Sequence, residues 1–139
     1  MLTPESWSSN CGACNLHIGC KNGRQWVDGC LQDPLILFVS HGPGIDEDAV
    51  GTPQQGMGGT LLKNILRDCG VEGLCAYTNV TRCFIPDPKN PHKSKHPTKK
   101  QMDYCVPTLF NEIEALNPRL IVTLGAPAAK YLLEVGTIK

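Results

Sequence analysis

The sequence predicts an α/β fold in which a central parallel sheet lies between helices as a three-layer sandwich. Three segments have the length of strands: the apolar runs at residues 35–39 and 120–124, and a short second strand at residues 76–80. Each run is followed by a segment with helical periodicity, and strands that alternate with helices pair in parallel. We expect a single domain over residues 1–139, with a cysteine-rich segment at 1–33 and the α/β core at 34–139.

The composition is that of an ordinary globular protein, with 41% hydrophobic residues, 19% charged residues and a formal net charge of zero. The longest apolar run is too short to cross a bilayer, and the N-terminus lacks the basic-then-apolar order of a signal peptide. We therefore expect a cytoplasmic protein, of cellular or viral origin, with no membrane partner.

Two polar features follow predicted strands directly. The strand at 35–39 runs into a Ser-His-Gly-Pro-Gly turn at residues 40–44, and Asn79 lies at the end of the second strand. Ligands of parallel α/β sheets bind at the carboxyl ends of the strands. The candidate site therefore combines this turn with Asn79.

The first predicted helix begins at Gly58 and ends where Gly70 has the position of a C-terminal cap. Its apolar face contains Leu61, Leu62, Ile65, Leu66 and Cys69.

A second helix begins with a capping box at residues 98–101 and continues with apolar residues at helical spacing. Pro107 predicts a kink or a later true start, because proline has no backbone N–H and clashes with the preceding turn. Asn117 and Pro118 end this helix, and a third helix begins at Ala126.

Residues 84–97 contain four prolines and are interpreted as a long loop. No acidic residue lies between Asp87 and Asp103, and the interval is rich in basic side chains. These are Lys89, His92, Lys93, Lys95, His96, Lys99 and Lys100. The stretch is either a contact for nucleic-acid phosphates or a mobile, solvated lysine loop.

Eight cysteines are many for 139 residues without a secretory signal, which favours metal binding over disulfides. Cys11 and Cys14 form a C-x-x-C pair whose thiolates can bind one metal centre. Two sets of further ligands remain open. A local zinc knuckle would use Cys20 and Cys30, and a long-range site would use Cys83 and Cys105.

Five motifs occur in one order along residues 11–133. They are Cys11-x-x-Cys14-x-Leu16, His41-Gly-Pro-Gly44-x-x-Glu47-Asp48-x-x-Gly51-x-Pro53, Thr78-Asn79-Val80-x-x-Cys83, Cys105-x-Pro-x-Leu109, and Pro118 before a strand that ends in Leu124-Gly125. This order resembles family 4 of the uracil-DNA glycosylases, which bind a [4Fe–4S] cluster. The resemblance implies that Cys11, Cys14, Cys83 and Cys105 hold such a cluster. Zinc through Cys20 and Cys30 is the alternative, and Cys69 and Cys75 are interpreted as small core residues.

The resemblance also implies a substrate, uracil in single- or double-stranded DNA, and roles for individual residues. Enzymes of this family flip a deoxyuridine out of the helix into a pocket at the strand ends. Asn79 would read the edge of the base, and His41 has the position of the residue that positions the water. The other implied substrate-binding residues are Gly42, Pro43, Gly44, Asp48, Pro53 and Gln54, and the implied DNA-binding loop contains Lys93, Lys95 and His96.

Three departures from the family pattern affect the expected activity. His41 replaces an acidic residue, Gln54 replaces a stacking phenylalanine, and the family's later His-Pro-Ser motif does not occur in these 139 residues. We therefore expect this chain alone to be a poor or inactive glycosylase.

Other functions remain open. The chain could be a catalytically degenerate DNA-binding or structural module of a replication or repair assembly, with another protein chain completing the fold, or a zinc-binding module. The basic loop resembles that of the UdgX subgroup, in which a loop histidine bonds covalently to the sugar. His96 or His92 would be that residue here.

Overall fold

The computed structural model describes Ser6, Cys11 and residues 14–136. The remaining residues of the predicted N-terminal segment, and 137–139, lie outside the described part. The helices are α1 (Ile45–Val50), α2 (Met57–Asp68), α3 (Lys99–Leu116) and α4 (Ala126–Gly136), with short 3-10 turns at Leu16–Gly19 and Glu72–Leu74. The strands are β1 (Asp28–Gly29), β2 (Ile36–Ser40), β3 (Cys75–Asn79), β4 (Pro86–Asp87), β5 (Asn90–Ser94) and β6 (Leu120–Leu124).

The main sheet has the strand order β1-β3-β2-β6. β2 pairs in parallel with β3 on one side and with β6 on the other. These are the three strands predicted from the apolar runs, with bounds shifted by one residue for the first two. The short β1, which the sequence did not predict, pairs antiparallel with β3 and makes the sheet mixed. The predicted α/β class is confirmed.

Side chains along each strand point alternately to the two faces of the sheet, and helices cover both faces. Leu37 and Val39 of β2 pack in a core cluster with residues of α3 and α4, including Leu109 and Ala128. Phe38 belongs to a second cluster on the opposite face, together with Leu66 of α2 and Tyr77 of β3. The arrangement is the expected three-layer sandwich. No helix in the described part is long and apolar enough to span a bilayer.

Helix α2 buries a narrower face than its sequence predicts. Leu66 is 8% exposed and Leu62 is partly buried against the second cluster, whereas Leu61 is 62% and Ile65 50% exposed. Cys69 is exposed, so its interpretation as a core residue is wrong, while Cys75 is buried as expected. Gly70 follows the helix with φ +74, the left-handed conformation that favours glycine after a helix end.

Helix α3 begins as predicted. Thr98 accepts a hydrogen bond from the backbone N–H of Gln101, whose side chain in turn accepts from the backbone N–H of Thr98. The helix continues through Pro107, so the later start that Pro107 offered as one of two expectations is wrong. Asn117 ends it in the left-handed conformation, as predicted.

Residues 84–97 are more ordered than a long loop. β4 and β5 pair antiparallel as a two-stranded hairpin with an irregular register. The backbone N–H of Lys95, just after β5, donates to the carbonyl oxygen of Ile85, just before β4, at 2.7 Å. This hydrogen bond closes the open end of the hairpin. The hairpin therefore fixes the position of His96, the residue after Lys95.

The N-terminal segment is tied to the core by buried polar groups. The carboxylate of Asp48 accepts hydrogen bonds from the backbone N–H groups of Lys21 (2.9 Å) and Asn22 (3.2 Å). The backbone N–H of Val27 donates to Glu112 at 2.8 Å. These contacts hold residues 21–27 against α1 and α3 without regular secondary structure.

Candidate functional site

A cavity of about 680 Å³ lies at the carboxyl ends of β2, β3 and β6. This is the position at which parallel sheets bind ligands. Its wall combines the turn after β2, the N-terminal turns of α2 and α4, the end of β3 and the end of the hairpin. The side chains that carry polar groups into this wall are Ser40, His41, Glu47, Gln54, Asn79, Ser94 and His96.

The turn after β2 lies unusually close to the segment after β3. The backbone N–H of Thr81 donates to the carbonyl oxygen of His41 at 3.0 Å, and the Thr81 hydroxyl donates to the same oxygen at 3.1 Å. A methyl group on Gly42 would lie 2.4 Å from Thr81 Oγ1. Only glycine fits at position 42, and this close approach forms one side of the cavity.

Asn79, at the end of β3, is 4% exposed and lines the cavity. Its backbone is fixed, because its carbonyl oxygen accepts a hydrogen bond from the guanidinium of Arg82. Among the described residues its side-chain amide has no hydrogen-bond partner. The side chain is therefore available to a ligand that offers both an acceptor and a donor.

His41 and His96 meet at the cavity wall, with ring centroids 5.0 Å apart and the planes at 65°, an edge-on contact. Burial lowers the pKa of His41 from 6.5, and the neighbouring His96 adds to the effect. Its Nε2 is buried without a partner among the described residues. His41 is therefore a neutral imidazole near pH 7, with a ring nitrogen that can accept a proton.

Gln54 has the left-handed conformation, with φ +61, and its Nε2 donates to Ser40 Oγ at 2.8 Å. A methyl group on Gly59 would lie 2.5 Å from the backbone of Gln54, so α2 packs directly on this residue. No Phe, Tyr or Trp lines the cavity in the described part of the chain. The flat groups available to a base are the Gln54 amide and the two imidazoles.

The two acidic residues of the Glu47-Asp48 pair have different positions. Glu47 lines the cavity, and burial raises the pKa of its carboxyl above the usual 4.5. Asp48 does not line the cavity; its carboxylate binds the backbone of Lys21 and Asn22. The sequence assigned Asp48 to substrate binding and left Glu47 unassigned. Successive residues of α1 point about 100° apart, which is why neighbours in sequence face different surroundings.

The remaining predicted site residues divide between the cavity and its surroundings. Gly42, Gly44 and His96 line the cavity, whereas Pro43 and Pro53 are buried outside its wall. Lys93 and Lys95 are exposed beside Ser94 and do not line it. His92 is exposed on the hairpin, so of the two loop histidines only His96 reaches the cavity.

Several thiols lie together after β3. Cys83 and Cys105 are buried, and Cys11 and Cys14 are partly buried. Burial raises the pKa of the Cys83 thiol, and the thiols of Cys20, Cys105, Cys11 and Cys14 are close enough to raise it further. The four cysteines of the long-range set therefore share one neighbourhood, together with Cys20.

The local zinc knuckle has no such geometry. The backbone N–H of Cys30 donates to the carbonyl oxygen of Cys75 at 2.9 Å, at the amino end of β3. Cys20 and Cys83 lie beyond the carboxyl end of the same strand. A five-residue strand separates its ends by about 13 Å. Within the described residues, no three His, Cys, Asp or Glu side chains converge closely enough to hold a single metal ion.

A buried ion pair behind the thiols was not predicted. Arg82 and Glu112 are 1% and 0% exposed, with 2.7 Å between Arg82 Nη1 and Glu112 Oε1. Glu112 also accepts from the Thr78 hydroxyl at 2.7 Å. Arg82 binds the carbonyl oxygen of Asn79 and precedes Cys83, so this pair links the cavity to the thiols. The signal in the sequence that could have predicted this ion pair is an acidic residue, Glu112, on the otherwise apolar face of α3.

Comparison with known proteins identifies the family of the chain. The Uracil DNA glycosylase superfamily profile matches residues 27–139. The Type-4 uracil-DNA glycosylase of Thermotoga maritima is 36% identical over 125 residues, which cover 89% of this chain and 61% of the relative. Those of Archaeoglobus fulgidus and Pyrobaculum aerophilum are 33% and 35% identical, with 60% and 61% of their lengths covered. The chain thus spans about three-fifths of these relatives, and it belongs to the uracil DNA glycosylase superfamily.

Proposed function

We propose that the chain acts in a uracil-DNA glycosylase, which hydrolyses the N-glycosidic bond of uracil in DNA. The observation that carries the proposal is the Asn79 amide, which lines the strand-end cavity and has no hydrogen-bond partner among the described residues. Uracil offers O4 as an acceptor and N3–H as a donor on one edge, and a single amide can satisfy both. The names of the similar proteins support the same substrate.

The base must leave the helix to reach this cavity. A volume of about 680 Å³ accommodates a flipped pyrimidine nucleotide together with water. The exposed Lys93 and Lys95 flank the hairpin end at which His96 enters the wall. Their charges support a path for the DNA backbone beside the opening.

In hydrolysis, water attacks the sugar C1′, the C1′–N1 bond breaks, and uracil departs with the bonding electrons. We propose that neutral His41 accepts a proton from this water, since its lowered pKa leaves it unprotonated near pH 7. Positive charge develops on the sugar during bond cleavage. Glu47 is the acidic side chain on the cavity wall among the described residues, and its carboxylate is placed to stabilise that charge.

We further propose that Cys11, Cys14, Cys83 and Cys105 hold a [4Fe–4S] cluster. Such a cluster binds each thiolate at a different iron atom. Four neighbouring thiols that do not converge on one point therefore fit it better than they fit a single zinc ion. When bound, the cluster would cross-link the N-terminal segment to β3 and α3, and no catalytic step requires it.

A second candidate function is base binding without hydrolysis. The side chain of Gln54 is held by Ser40, and no aromatic ring other than imidazole lines the wall in the described part. Stacking on an aromatic ring contributes about 1–3 kcal/mol per base in single-strand binding sites. The absence of such a ring from the described part of the wall favours a module that binds a base weakly and leaves the N-glycosidic bond intact.

Single-turnover cleavage of a labelled, uracil-containing single strand distinguishes these functions. Because the acid and the ring of the family pattern are replaced, we expect few abasic sites with the wild-type chain, and fewer still, with weaker uracil binding, in Asn79→Ala. An unpaired buried edge costs about 1–3 kcal/mol, which corresponds to roughly 5- to 150-fold weaker uracil binding. Asn64→Ala, on the exposed side of α2, is the matched control.

Binding without abasic sites would instead support the second candidate. In that case His41→Glu with Gln54→Phe should restore cleavage, because the two changes return the acid and the ring of the family pattern. A covalent protein–DNA adduct that His96→Ala abolishes would indicate UdgX-like chemistry. Equal binding of uracil and thymine strands by both the wild type and Asn79→Ala would contradict uracil recognition at this cavity.

A further inference from the structure

A second, smaller cavity of about 280 Å³ lies in the N-terminal segment. Its lining residues in the described part are His17, Gly23, Arg24 and Trp26, and none of them lines the strand-end cavity. Pockets that enclose a whole small ligand measure roughly 300–1,000 Å³. A cavity just below that range suits contact with one unit of a long ligand.

The side chains of this cavity combine an aromatic ring with a positive charge. Trp26 and Arg24 are both partly buried. The Nε of Arg24 has no hydrogen-bond partner within the described residues, and no carboxylate there forms an ion pair with its guanidinium. An indole ring can stack on any nucleobase, and a guanidinium can bind a phosphate through two N–H groups. The cavity therefore presents groups for both parts of a nucleotide.

The segment around this cavity has positive charge without nearby acids in the sequence. No acidic residue occurs between Glu5 and Asp28. The basic residues of that interval are His17, Lys21 and Arg24. Asp48 binds this segment from α1, but it is 7% exposed and accepts from the backbone N–H groups of Lys21 and Asn22. The exposed side of the segment should therefore attract an anionic ligand.

Trp26 lies toward the end of the sheet at which the strand-end cavity is found. β1 pairs antiparallel with β3, and Asp28 is opposite Tyr77. The residues before Asp28 therefore continue toward the carboxyl end of β3. The backbone N–H of Gln25 confirms this direction, because it donates to the carbonyl oxygen of Arg82, beyond that end, at 2.8 Å. A strand with one nucleotide in the strand-end cavity can thus reach Trp26 with another.

We propose that this second cavity binds one nucleotide of single-stranded DNA, with Trp26 stacked on the base and Arg24 bound to a phosphate. The inference takes DNA as the ligand from the proposed function and adds a contact that requires no uracil. Stacking accepts every base, and phosphates carry no sequence information. The site therefore adds affinity for the strand and leaves recognition of the base to Asn79.

The experiment measures binding of a labelled thymine strand, which contains no uracil, to the full chain by fluorescence anisotropy at several salt concentrations. Trp26→Ala should weaken binding roughly 5- to 150-fold, whereas Trp26→Phe keeps a ring and should bind nearly as the wild type does. Arg24→Gln should weaken binding and reduce the slope of log affinity against log salt by about 0.7, the value for one single-strand phosphate contact. Arg67→Gln, at an exposed position of α2, is the matched control and should change neither quantity.

Affinity and salt slope equal to those of the wild type in folded Trp26→Ala and Arg24→Gln would overturn the site and leave uracil recognition intact. Equal losses in Arg24→Gln and Arg67→Gln would indicate general charge attraction and would also overturn it. A wild type that binds neither a thymine nor a uracil strand would overturn the proposed function together with the inference.

Circular dichroism reports whether each variant folds. If Trp26→Ala does not fold, the quenching of tryptophan fluorescence by unlabelled strand replaces it as the test of stacking. The wild type should then show more quenching than Trp26→Phe, and equal quenching would contradict a base stacked on Trp26.

Discussion

Glu112 is a buried carboxylate of α3 with charged and polar partners. It is fully buried and pairs with Arg82, the Thr78 hydroxyl and the backbone N–H of Val27. Arg82 in turn binds the carbonyl oxygen of Asn79. One carboxylate therefore organises the end of β3, the N-terminal segment and α3.

We expect Glu112→Gln to lower the free energy of unfolding by about 3–5 kcal/mol, because it leaves the buried Arg82 charge without its counter-charge. Glu114→Gln, two residues later on an exposed position of the same helix, should change it by less than about 0.5 kcal/mol. Urea-induced unfolding of the two variants measures both values. Equal midpoints would show that the ion pair contributes no net stability.

His41 should make stability depend on pH. Its pKa is lowered from 6.5 by burial, so the unfolded chain binds this proton more readily than the folded chain. The wild type should therefore lose stability as the pH falls through 6.5, and His41→Gln should lose less. Thermal unfolding at about pH 7.5 and about pH 5.5 tests the difference. His92→Gln, at an exposed position, is the control. Glu47 is present in all three proteins, so its contribution to the pH dependence cancels in the comparison.

The packing of the first turn of α2 requires glycine at position 59 but not at position 58. A methyl group on Gly59 would overlap the Gln54 backbone, whereas a methyl group on Gly58 would meet nothing within 4 Å. The first turn of α2 must therefore lie close to Gln54 for the cavity wall to form. The hydrogen bond from Gln54 to Ser40 then joins α2 to β2.

We expect Gly59→Ala to destabilise the fold by about 1–3 kcal/mol through overpacking. Gly58→Ala should be neutral or stabilising by up to about 1 kcal/mol, because alanine is the better helix former. Chemical denaturation of this matched pair checks the stabilities, and uracil binding reports the shape of the wall. A destabilised Gly58→Ala beside a normal Gly59→Ala would contradict the packing described for α2.

The β4–β5 hairpin shows why an element can be missed. Its segment contains four prolines and no apolar alternation, so the sequence favoured a loop. The strands pair through backbone contacts and are exposed along most of their length. The hairpin nevertheless matters for the site, because it brings the ring of His96 against that of His41, more than 50 residues away in sequence.

For the molecule as a whole, the N-terminal segment is joined to the core in two ways. Residues 21–29 are anchored by Asp48, by Glu112 and by the pairing of β1 with β3. Before them, Cys11, Cys14 and Cys20 lie close to Cys83. The segment should therefore respond in two parts when the cluster is lost.

We expect Cys83→Ser to yield protein with less iron, without the broad brown absorbance near ~400 nm that the wild type should show. Hydrogen–deuterium exchange should then increase at residues 14–20 and change little at 21–29, because the second group keeps its own hydrogen bonds. Cys69→Ser should match the wild type in colour and exchange. A uniform loss of protection from residue 14 to residue 29 would show that the polar anchors do not hold without the cluster.

Local sequence patterns were sufficient to predict several parts of this protein. Apolar runs and helical periodicity identified β2, β3 and β6 and the helices after them, and the capping box located the start of α3. Parallel pairing then placed the turn at His41 and Asn79 at one edge of the sheet, and both line the cavity.

Which of the neighbouring side chains share that cavity depends on how the elements pack. Glu47 and not Asp48 faces it, His96 and not His92 reaches it, and Cys20 joins the thiols while Cys30 does not. Each pair is alike in residue type and close in sequence. The choice depends on the direction of a helix turn, the register of a hairpin and the length of β3, which are properties of packed elements and not of composition.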